Sequence, residues 1–358
     1  MAAIVPPKEQ ERPAPPRLDA LDAARGVGIL LVVLAHAGLL GGVGRWVFSF
    51  YMPLFFVISG YLYGKRPAST PAACARRAGR LAKEYFVTCA VLAGLWLVLF
   101  GVRGRLALVP RILFSVLYGR FSDPANPLLA DECWTGQLWF FTLMVSASAL
   151  YALVRPLDGA GIAAPGRLTR RAGLAALLLG AAQLFRLCPV LLPWCLDTAP
   201  MGALLLLAGS WLADADWLDK PLAPGRIALL AACGALFFGL QDTYDLHMRG
   251  YGRLAGPLGP LCFFAVGFAG SLLLLSLCRS AVRGGRLAAP LLAAGRNSLP
   301  IFEYHILGLF LLKQLLARLS LPAPLYTALL AVGCFAVAFV CVVLRAGFDR
   351  RRAARGKV

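Results

Sequence analysis

The chain has 358 residues, of which 59% are hydrophobic, and its mean hydropathy is +0.73. Soluble domains usually have about 45–50% apolar residues, so this composition predicts an integral membrane protein and excludes a soluble one. The 36 Lys and Arg residues outnumber the 17 Asp and Glu residues, which in a soluble chain would suggest a nucleic-acid binder. The sequence contains no basic groove with interleaved aromatic residues and no nucleic-acid motif, so we expect no nucleic-acid partner.

The cysteine pattern does not indicate a metal site. The ten cysteines include no CxxC pair and no Cys/His ligand spacing, so we expect no bound metal. Most lie within apolar runs, where a free cysteine behaves as a small hydrophobic residue. Cys188 and Cys195 flank a proline-rich loop and would form a disulfide bond if that loop faced an oxidising compartment.

The order of apolar runs predicts an all-α, polytopic membrane protein with about ten transmembrane helices. Residues 1–17 are rich in proline and charge and lack the apolar core of a signal peptide, so we expect a disordered cytosolic tail there. Residues 18–345 predict one transmembrane domain, and residues 346–358 predict a basic cytosolic tail. The runs fall at residues 23–40, 43–63, 84–102, 135–154, 172–187, 199–213, 227–240, 257–278, 298–317 and 325–344.

The basic residues set the orientation of these helices. With the N-terminus inside, most Lys and Arg residues fall in inner segments, which predicts cytoplasmic N- and C-termini. Residues 106–118 are apolar but short, and Pro110 and Arg111 interrupt them. Counting this stretch as a further span would place the basic C-terminus outside, so we expect an interfacial or re-entrant helix on the outer side.

The first predicted span carries two ionisable residues on one face. Arg25 and His36 are eleven positions apart, which at 100° per residue is only about 20° off three full turns, with a rise of about 16 Å. Asp22 lies three residues before Arg25 and can pair with it. Such residues within a membrane helix usually face a polar interior that has a function. The alternative is that Arg25 reaches the headgroups and His36 hydrogen-bonds a neighbouring helix.

A basic cytosolic segment follows the second span. Within that span Pro53 bends the helix, and Ser59 with the glycine after it allows close helix approach, which favours a packing role. Arg77-x-x-Arg80 then places two guanidinium groups on one helix face at the entrance of the third span, where they suit phosphate oxygens. The positive-inside signal would also explain these arginines, but their location on the side of Arg25 favours a phosphorylated donor.

The ninth span begins with residues that favour a helix start and continues with two ionisable side chains. Asn297, Ser298 and Pro300 suit the N-terminus of a helix. Glu303 and His305 are about 200° apart around the helix, so we expect one of them to face the reaction space and the other to pair structurally.

Two further groups of side chains are explained without a catalytic role. Gln137 and Trp139 open the fourth span, where an interfacial anchor is the default explanation. His247 lies in an outer loop with Asp242 and Asp245, and we expect it to be solvated.

Five motifs together resemble the membrane O-acyltransferase family called acyltransferase type 3. They are Arg25-x10-His36, Pro53-Leu-Phe-Phe-Val-Ile-Ser-Gly-Tyr-Leu62, Arg77-x-x-Arg80, Leu138-Trp-Phe-Phe141 and Gly295-Arg-Asn-Ser-Leu-Pro-Ile-Phe-Glu-Tyr-His305. The last of them looks most like the branch that includes sugar O-acetylases of the fucose-acetylase kind. The ten-helix domain of the family, with its N-terminus inside, matches the topology predicted above. The family often has a proline shortly after the arginine pair, whereas Lys83 and Glu84 precede Tyr85 here.

The resemblance implies roles for particular residues. His36 would be the key catalytic residue with Arg25 in support, and Arg77, Arg80 and the neighbouring Arg76 would contact the acyl-CoA donor. Histidine titrates near neutral pH and therefore suits the removal of a hydroxyl proton, although a covalent acyl-histidine remains open. Arg25 would either stabilise developing negative charge or bind donor phosphate. Candidates for a second site are His305, Glu303 and Ser59.

These observations predict an inner-membrane O-acyltransferase. It would move an acetyl group, or another short acyl group such as succinyl, from cytosolic acyl-CoA to a hydroxyl of a cell-surface glycan or lipid-linked sugar. Acyl-CoA would act as co-substrate, and we expect no bound cofactor.

Two alternatives come from other classes of protein. A transporter or flippase for a polysaccharide precursor or an acyl group would line its path with Arg25 and His36, and inverted repeats with paired broken helices would favour it. The sequence has one proline-broken span without a symmetric partner. A non-catalytic partner in a surface-polysaccharide assembly would show no hydrolysis of acyl-CoA.

Overall fold

The fold is built from α-helices, as predicted. The computed structural model describes residues 19–65, 71–100, 106–121, 126–129, 135–159, 164–188, 190–218, 223–240, 258–283 and 289–355, and these ranges contain no strand. Their helices are α1 (Asp19–Ala37), α2 (Val43–Gly64), α3 (Pro71–Phe100), α4 (Val109–Tyr118), α5 (Trp139–Val154), α6 (Ala164–Arg186), α7 (Ala199–Asp214), α8 (Pro224–Leu240), α9 (Gly259–Arg283), α10 (Ala289–Arg296), α11 (Ser298–Ala317) and α12 (Ala323–Arg355).

Eight of these helices are long and apolar enough to cross a membrane, namely α1, α2, α3, α5, α7, α9, α11 and α12. This confirms a polytopic membrane protein. The shorter α8 and the arginine-containing α6 cover the two remaining predicted spans, so the count of ten and the orientation of the termini stay predictions. Helix α3 begins at Pro71, well before the predicted start of its span, and α12 continues through residues 346–355 of the predicted tail.

Helix α7 lies at the centre of the bundle and packs closely against α2. A Cβ atom at Gly60 would lie 2.0 Å from the carbonyl oxygen of Leu206, and one at Gly209 would lie 2.1 Å from that of Val57. Only glycine allows two helix backbones to come this close. The packing role predicted for the segment around Ser59 is therefore seen at the next residue, Gly60.

Helix α10 runs antiparallel to the first half of α1. A Cβ atom at Gly26 would lie 2.2 Å from the carbonyl oxygen of Leu291, and one at Gly295 would lie 1.7 Å from that of Asp22. Residues 289–296 lie between two predicted spans, at 257–278 and 298–317, and no helix was predicted there. Its packing places the start of α11 beside the first turns of α1.

Helix α4 lies along α3 in place of crossing the bundle. Ile112 packs against Trp96, and the Tyr85 hydroxyl donates a hydrogen bond to the carbonyl of Val116 at 2.8 Å. Its ten residues span only about 15 Å, which is too short for a transmembrane helix. Gly119, with φ of 72°, ends the helix in the left-handed region that glycine adopts readily.

The loop before α7 packs against α5 without a disulfide bond. Cys188 and Cys195 are both free thiols. Cys195 is fully buried, and its Sγ lies 3.3 Å from the Thr142 hydroxyl. The disulfide considered from the sequence therefore does not form in this structure.

A group of paired charges joins the ends of α5, α6 and α7. Asp158 is 2% exposed and accepts hydrogen bonds from Arg155, from Arg171 and from the Trp211 indole at 3.0 Å. Asp214 pairs with the same two arginines. The two carboxylates balance the two guanidinium groups, so we interpret this cluster as a structural clamp.

Candidate active site

Helix α1 carries the two residues around which the site is built. Arg25 lies 3.7 Å from the Asp22 carboxylate, and its side chain is 23% exposed. His36 lies in the last turn of the same helix and is exposed, whereas the next residue, Ala37, is buried. The regular helix between Arg25 and His36 gives the predicted separation of about 16 Å along the axis.

His36 contacts a second histidine that the chain brings from α11. The ring centroids of His36 and His305 are 5.0 Å apart, with the edge of one ring against the face of the other. His36 Nδ1 lies 2.9 Å from the carbonyl oxygen of Val32, and His305 Nδ1 lies 2.9 Å from that of Phe302. Because a carbonyl oxygen only accepts hydrogen bonds, both Nδ1 atoms donate, and in the neutral rings both Nε2 atoms are proton acceptors.

The His305 ring differs from an ordinary buried side chain in its hydrogen bonding. His305 is fully buried, and its Nε2 has no hydrogen-bond partner among the described residues. Buried polar atoms are normally paired, so an unpaired acceptor beside His36 is suited to a reacting group or its proton.

Glu303 occupies the opposite side of α11 from His305. It is 3% exposed and lies within electrostatic range of the Cys341 thiol on α12. The two side chains therefore diverge, as the 200° spacing predicts. Ser59, the third residue proposed for a second site, lies on α2 and makes no hydrogen bond with either histidine in the structure.

The arginines proposed to bind the donor lie together on the first turns of α3. Arg77 is 4.8 Å from the ring centroid of Tyr63 and close enough to repel Arg25 electrostatically. Arg76 and Arg80 are exposed on the same helix. The tertiary structure therefore places Arg77 and Arg25, which come from different helices, near one another.

Asp22 connects this arginine cluster to α10. Its Oδ2 accepts a hydrogen bond from Arg296 Nε at 3.1 Å, while Arg25 lies nearest to its Oδ1. Arg296 also donates to Asp19 at 3.0 Å. In the sequence Arg296 is an inner basic residue and part of the motif from Gly295 to His305, but nothing in its spacing marked it as a partner of Asp22.

Aromatic side chains of α5 pack beside the two histidines. Phe140 and Phe141 lie 5.2 Å and 5.7 Å from Phe302, which in turn lies 5.9 Å from His305. One turn earlier, Gln137 is 7% exposed and its Nε2 has no hydrogen-bond partner in the described part of the chain.

The burial of these residues corrects the interpretation of Gln137 and Trp139 as interfacial anchors. Trp139 is 8% exposed and packs into the core, whereas an interfacial anchor would lie at the surface of the bundle.

Residues 241–257, which include Asp242, Asp245 and His247, lie outside the described ranges. Within the described ranges, no three His, Cys, Asp or Glu side chains are grouped so that they could hold a metal ion.

Comparison with known proteins assigns the chain to a family. A family model described as an acyltransferase domain, that of acyltransferase type 3, matches residues 18–343, which is most of the chain. No curated protein and no solved structure matches it. The match includes α1, the start of α3 and all of α11, where the histidines and arginines of the candidate site lie. The chain therefore belongs to the acyltransferase type 3 family and is a multi-pass membrane acyltransferase.

Proposed function

We propose that the protein transfers an acetyl or other short acyl group from cytosolic acyl-CoA to a hydroxyl of a cell-surface glycan or lipid-linked sugar, in the inner (plasma) membrane. The observation that carries the proposal is the position of His36. Its Nε2 is available as a proton acceptor, it contacts His305, and the arginine cluster lies about 16 Å away at the other end of α1. This arrangement suits a donor that is charged at one end and reactive at the other.

The donor would bind from the arginine end of the bundle. Arg77 and Arg80, with Arg76 beside them, offer guanidinium groups that suit the phosphates of coenzyme A. Arg25 would either bind a phosphate closer to the pantetheine arm or stabilise negative charge. The arm would then extend along α1, so that the thioester reaches His36.

His36 would act as the general base. Its Nε2 accepts the proton of the acceptor hydroxyl while the hydroxyl oxygen attacks the thioester carbonyl carbon. The tetrahedral intermediate collapses by breaking the C–S bond, and the imidazolium returns its proton to the coenzyme A thiolate. His305 would hold the His36 ring in place through their edge contact. An acyl-histidine intermediate, formed by attack of Nε2 on the thioester, uses the same residues.

The test is turnover of radiolabelled acetyl-CoA by the purified protein in liposomes. Wild type and His36→Ala are compared, with matched elution profiles and melting temperatures as the control for folding. We expect hydrolysis or transfer by wild type and at least a hundredfold loss in the variant, as for removal of a general base. Equal activity in both would contradict the role of His36. A folded wild type that turns over none of several acyl-CoAs would contradict an acyl-CoA-dependent enzyme and favour the transporter.

A further inference from the structure

Lys313 is a charged residue on α11 whose position the acyl-transfer mechanism does not use. It lies two turns after His305, is half-buried, and its Nζ is 3.4 Å from the backbone carbonyl oxygen of His36. No carboxylate of the described residues forms an ion pair with it. A cation on a membrane helix without a carboxylate partner is costly and usually marks a pathway or a binding site.

Capping of α1 uses only a small part of this lysine. Two carbonyls at the end of α1 accept backbone hydrogen bonds, from Gly38 N to Ala35 O and from Leu39 N to Leu34 O, both at 3.0 Å, and Lys313 contacts a third, that of His36. The contact from Lys313 is longer than an ordinary hydrogen bond of 2.7–3.2 Å. An ammonium group has three N–H donors, so most of the hydrogen-bonding capacity of Lys313 is left for another group.

The charges around His36 indicate what that group is. His305 is uncharged in its neutral form, and Glu303 is turned towards α12, so no described carboxylate beside His36 neutralises Lys313. An ammonium group with unused N–H donors forms its strongest hydrogen bonds with a carboxylate or a phosphate. The donor phosphates are already assigned to the arginines near Arg25, about 16 Å away along α1. The anion at Lys313 therefore belongs to the other reactant.

We propose that Lys313 binds a negatively charged substituent, a carboxylate or a phosphate, of the acceptor and thereby places the acceptor hydroxyl against His36. This inference rests on the proposed function and specifies its acceptor class as an acidic sugar or a sugar phosphate. Lys313 is a binding and positioning residue in this arrangement, because the reacting atoms contact His36.

The test measures acetyl transfer from acetyl-CoA to three matched probes by the full-length protein in liposomes. The probes are methyl β-glucuronide, methyl β-glucoside 6-phosphate and the neutral methyl β-glucoside. We expect wild type to show a higher kcat/KM for at least one charged probe than for the neutral one. Comparison of the two charged probes shows whether the site prefers a carboxylate or a phosphate. In Lys313→Met the ratio of charged to neutral kcat/KM should fall at least about tenfold, the size expected for loss of a charge-assisted hydrogen bond. Lys313→Arg should retain the preference for charge.

Three results would overturn the proposal. One is a Lys313→Met protein whose kcat/KM equals that of wild type on every probe. Another is an equal loss on charged and neutral probes, which would assign Lys313 to the acyl group or to folding. The third is a wild type that hydrolyses acetyl-CoA but transfers to neither charged probe. A wild type without any acetyl-CoA turnover would contradict the proposed function itself, so the two failures are distinguishable.

Discussion

Arg296 of α10 and Arg25 of α1 share the carboxylate of Asp22, one at each oxygen. Arg296 Nε lies 3.1 Å from Oδ2, and the Arg25 guanidinium lies 3.7 Å from Oδ1. The Arg296 bond has the length of a normal hydrogen bond, whereas the Arg25 contact is long. Asp22 is thus held mainly by Arg296, and the Arg25 guanidinium keeps hydrogen-bonding capacity for a bound anion.

Replacing Arg296 should therefore weaken donor binding at a distance. In Arg296→Gln the Asp22 carboxylate is free to pair fully with Arg25, so we expect KM for acetyl-CoA to rise about three- to fivefold with little change in kcat, the scale of a partly exposed ion pair. Steady-state kinetics measure both constants. Arg296→Lys should restore part of the affinity. The exposed Arg226→Gln on α8 is the matched control, and an equal rise in KM there would show a general charge effect.

The α3 arginines should contribute to donor affinity more than to turnover. We expect Arg77→Ala to raise KM for acetyl-CoA at least about tenfold, because one charge-assisted hydrogen bond to a phosphate contributes about 1.5–3 kcal/mol. Arg80→Ala should act in the same direction, and KM of wild type should rise with ionic strength because the arginines are partly exposed. Arg170→Ala, which removes an exposed arginine of α6, is the control. A purely topological role for the arginines would leave KM unchanged in correctly inserted variants.

His305 should affect the chemical step. Removing the His305 ring removes the edge contact that it makes with the His36 imidazole. We therefore expect His305→Ala to lower kcat about a hundredfold while KM for acetyl-CoA changes little. Because His305 is fully buried, His305→Phe serves as a second variant that keeps the volume filled. Because phenylalanine keeps a ring against His36, His305→Phe should retain most of kcat, and a stable His305→Ala protein with wild-type kcat would contradict the assignment.

The contact between α1 and α10 should tolerate no side chain. A Cβ atom at Gly295 would lie 1.7 Å from the Asp22 carbonyl oxygen, so Gly295→Ala must separate the two helices. We expect a loss of about 1–3 kcal/mol in unfolding free energy, the usual cost of overpacking. A lower melting temperature in detergent measures it. Gly173→Ala on α6 meets no atom within 4 Å and is the control; equal melting temperatures for both variants would show that the contact is looser.

The clamp around Asp158 should control stability without affecting acceptor choice. Asp158→Asn leaves the half-buried Arg155 and Arg171 without one of their two carboxylate partners. Breaking a buried ion pair costs about 3–5 kcal/mol, so we expect a strongly lowered melting temperature. The preference of the remaining folded protein among glycoside acceptors should equal that of wild type. A changed preference would show that the clamp belongs to the substrate site.

The sequence by itself determined where most of the long apolar helices lie and which residues share one helix face. A membrane helix must satisfy its backbone hydrogen bonds internally, so uninterrupted apolar runs predict its position directly. For the same reason the spacing of Arg25 and His36 predicted their separation, and that of Glu303 and His305 predicted their divergence. The motifs also predicted the family, because they involve residues close together in the chain.

Only the tertiary structure decided which helix faces meet. The contact of His36 with His305, the sharing of Asp22 by Arg296 and Arg25, and the approach of Lys313 to His36 all join α1 to segments near the other end of the chain. Periodicity gives the direction of a side chain around its own helix but not the neighbour that it contacts. That neighbour is set by close packing, as where Gly295 admits the backbone of α1, and such contacts depend on the shapes of two surfaces at once.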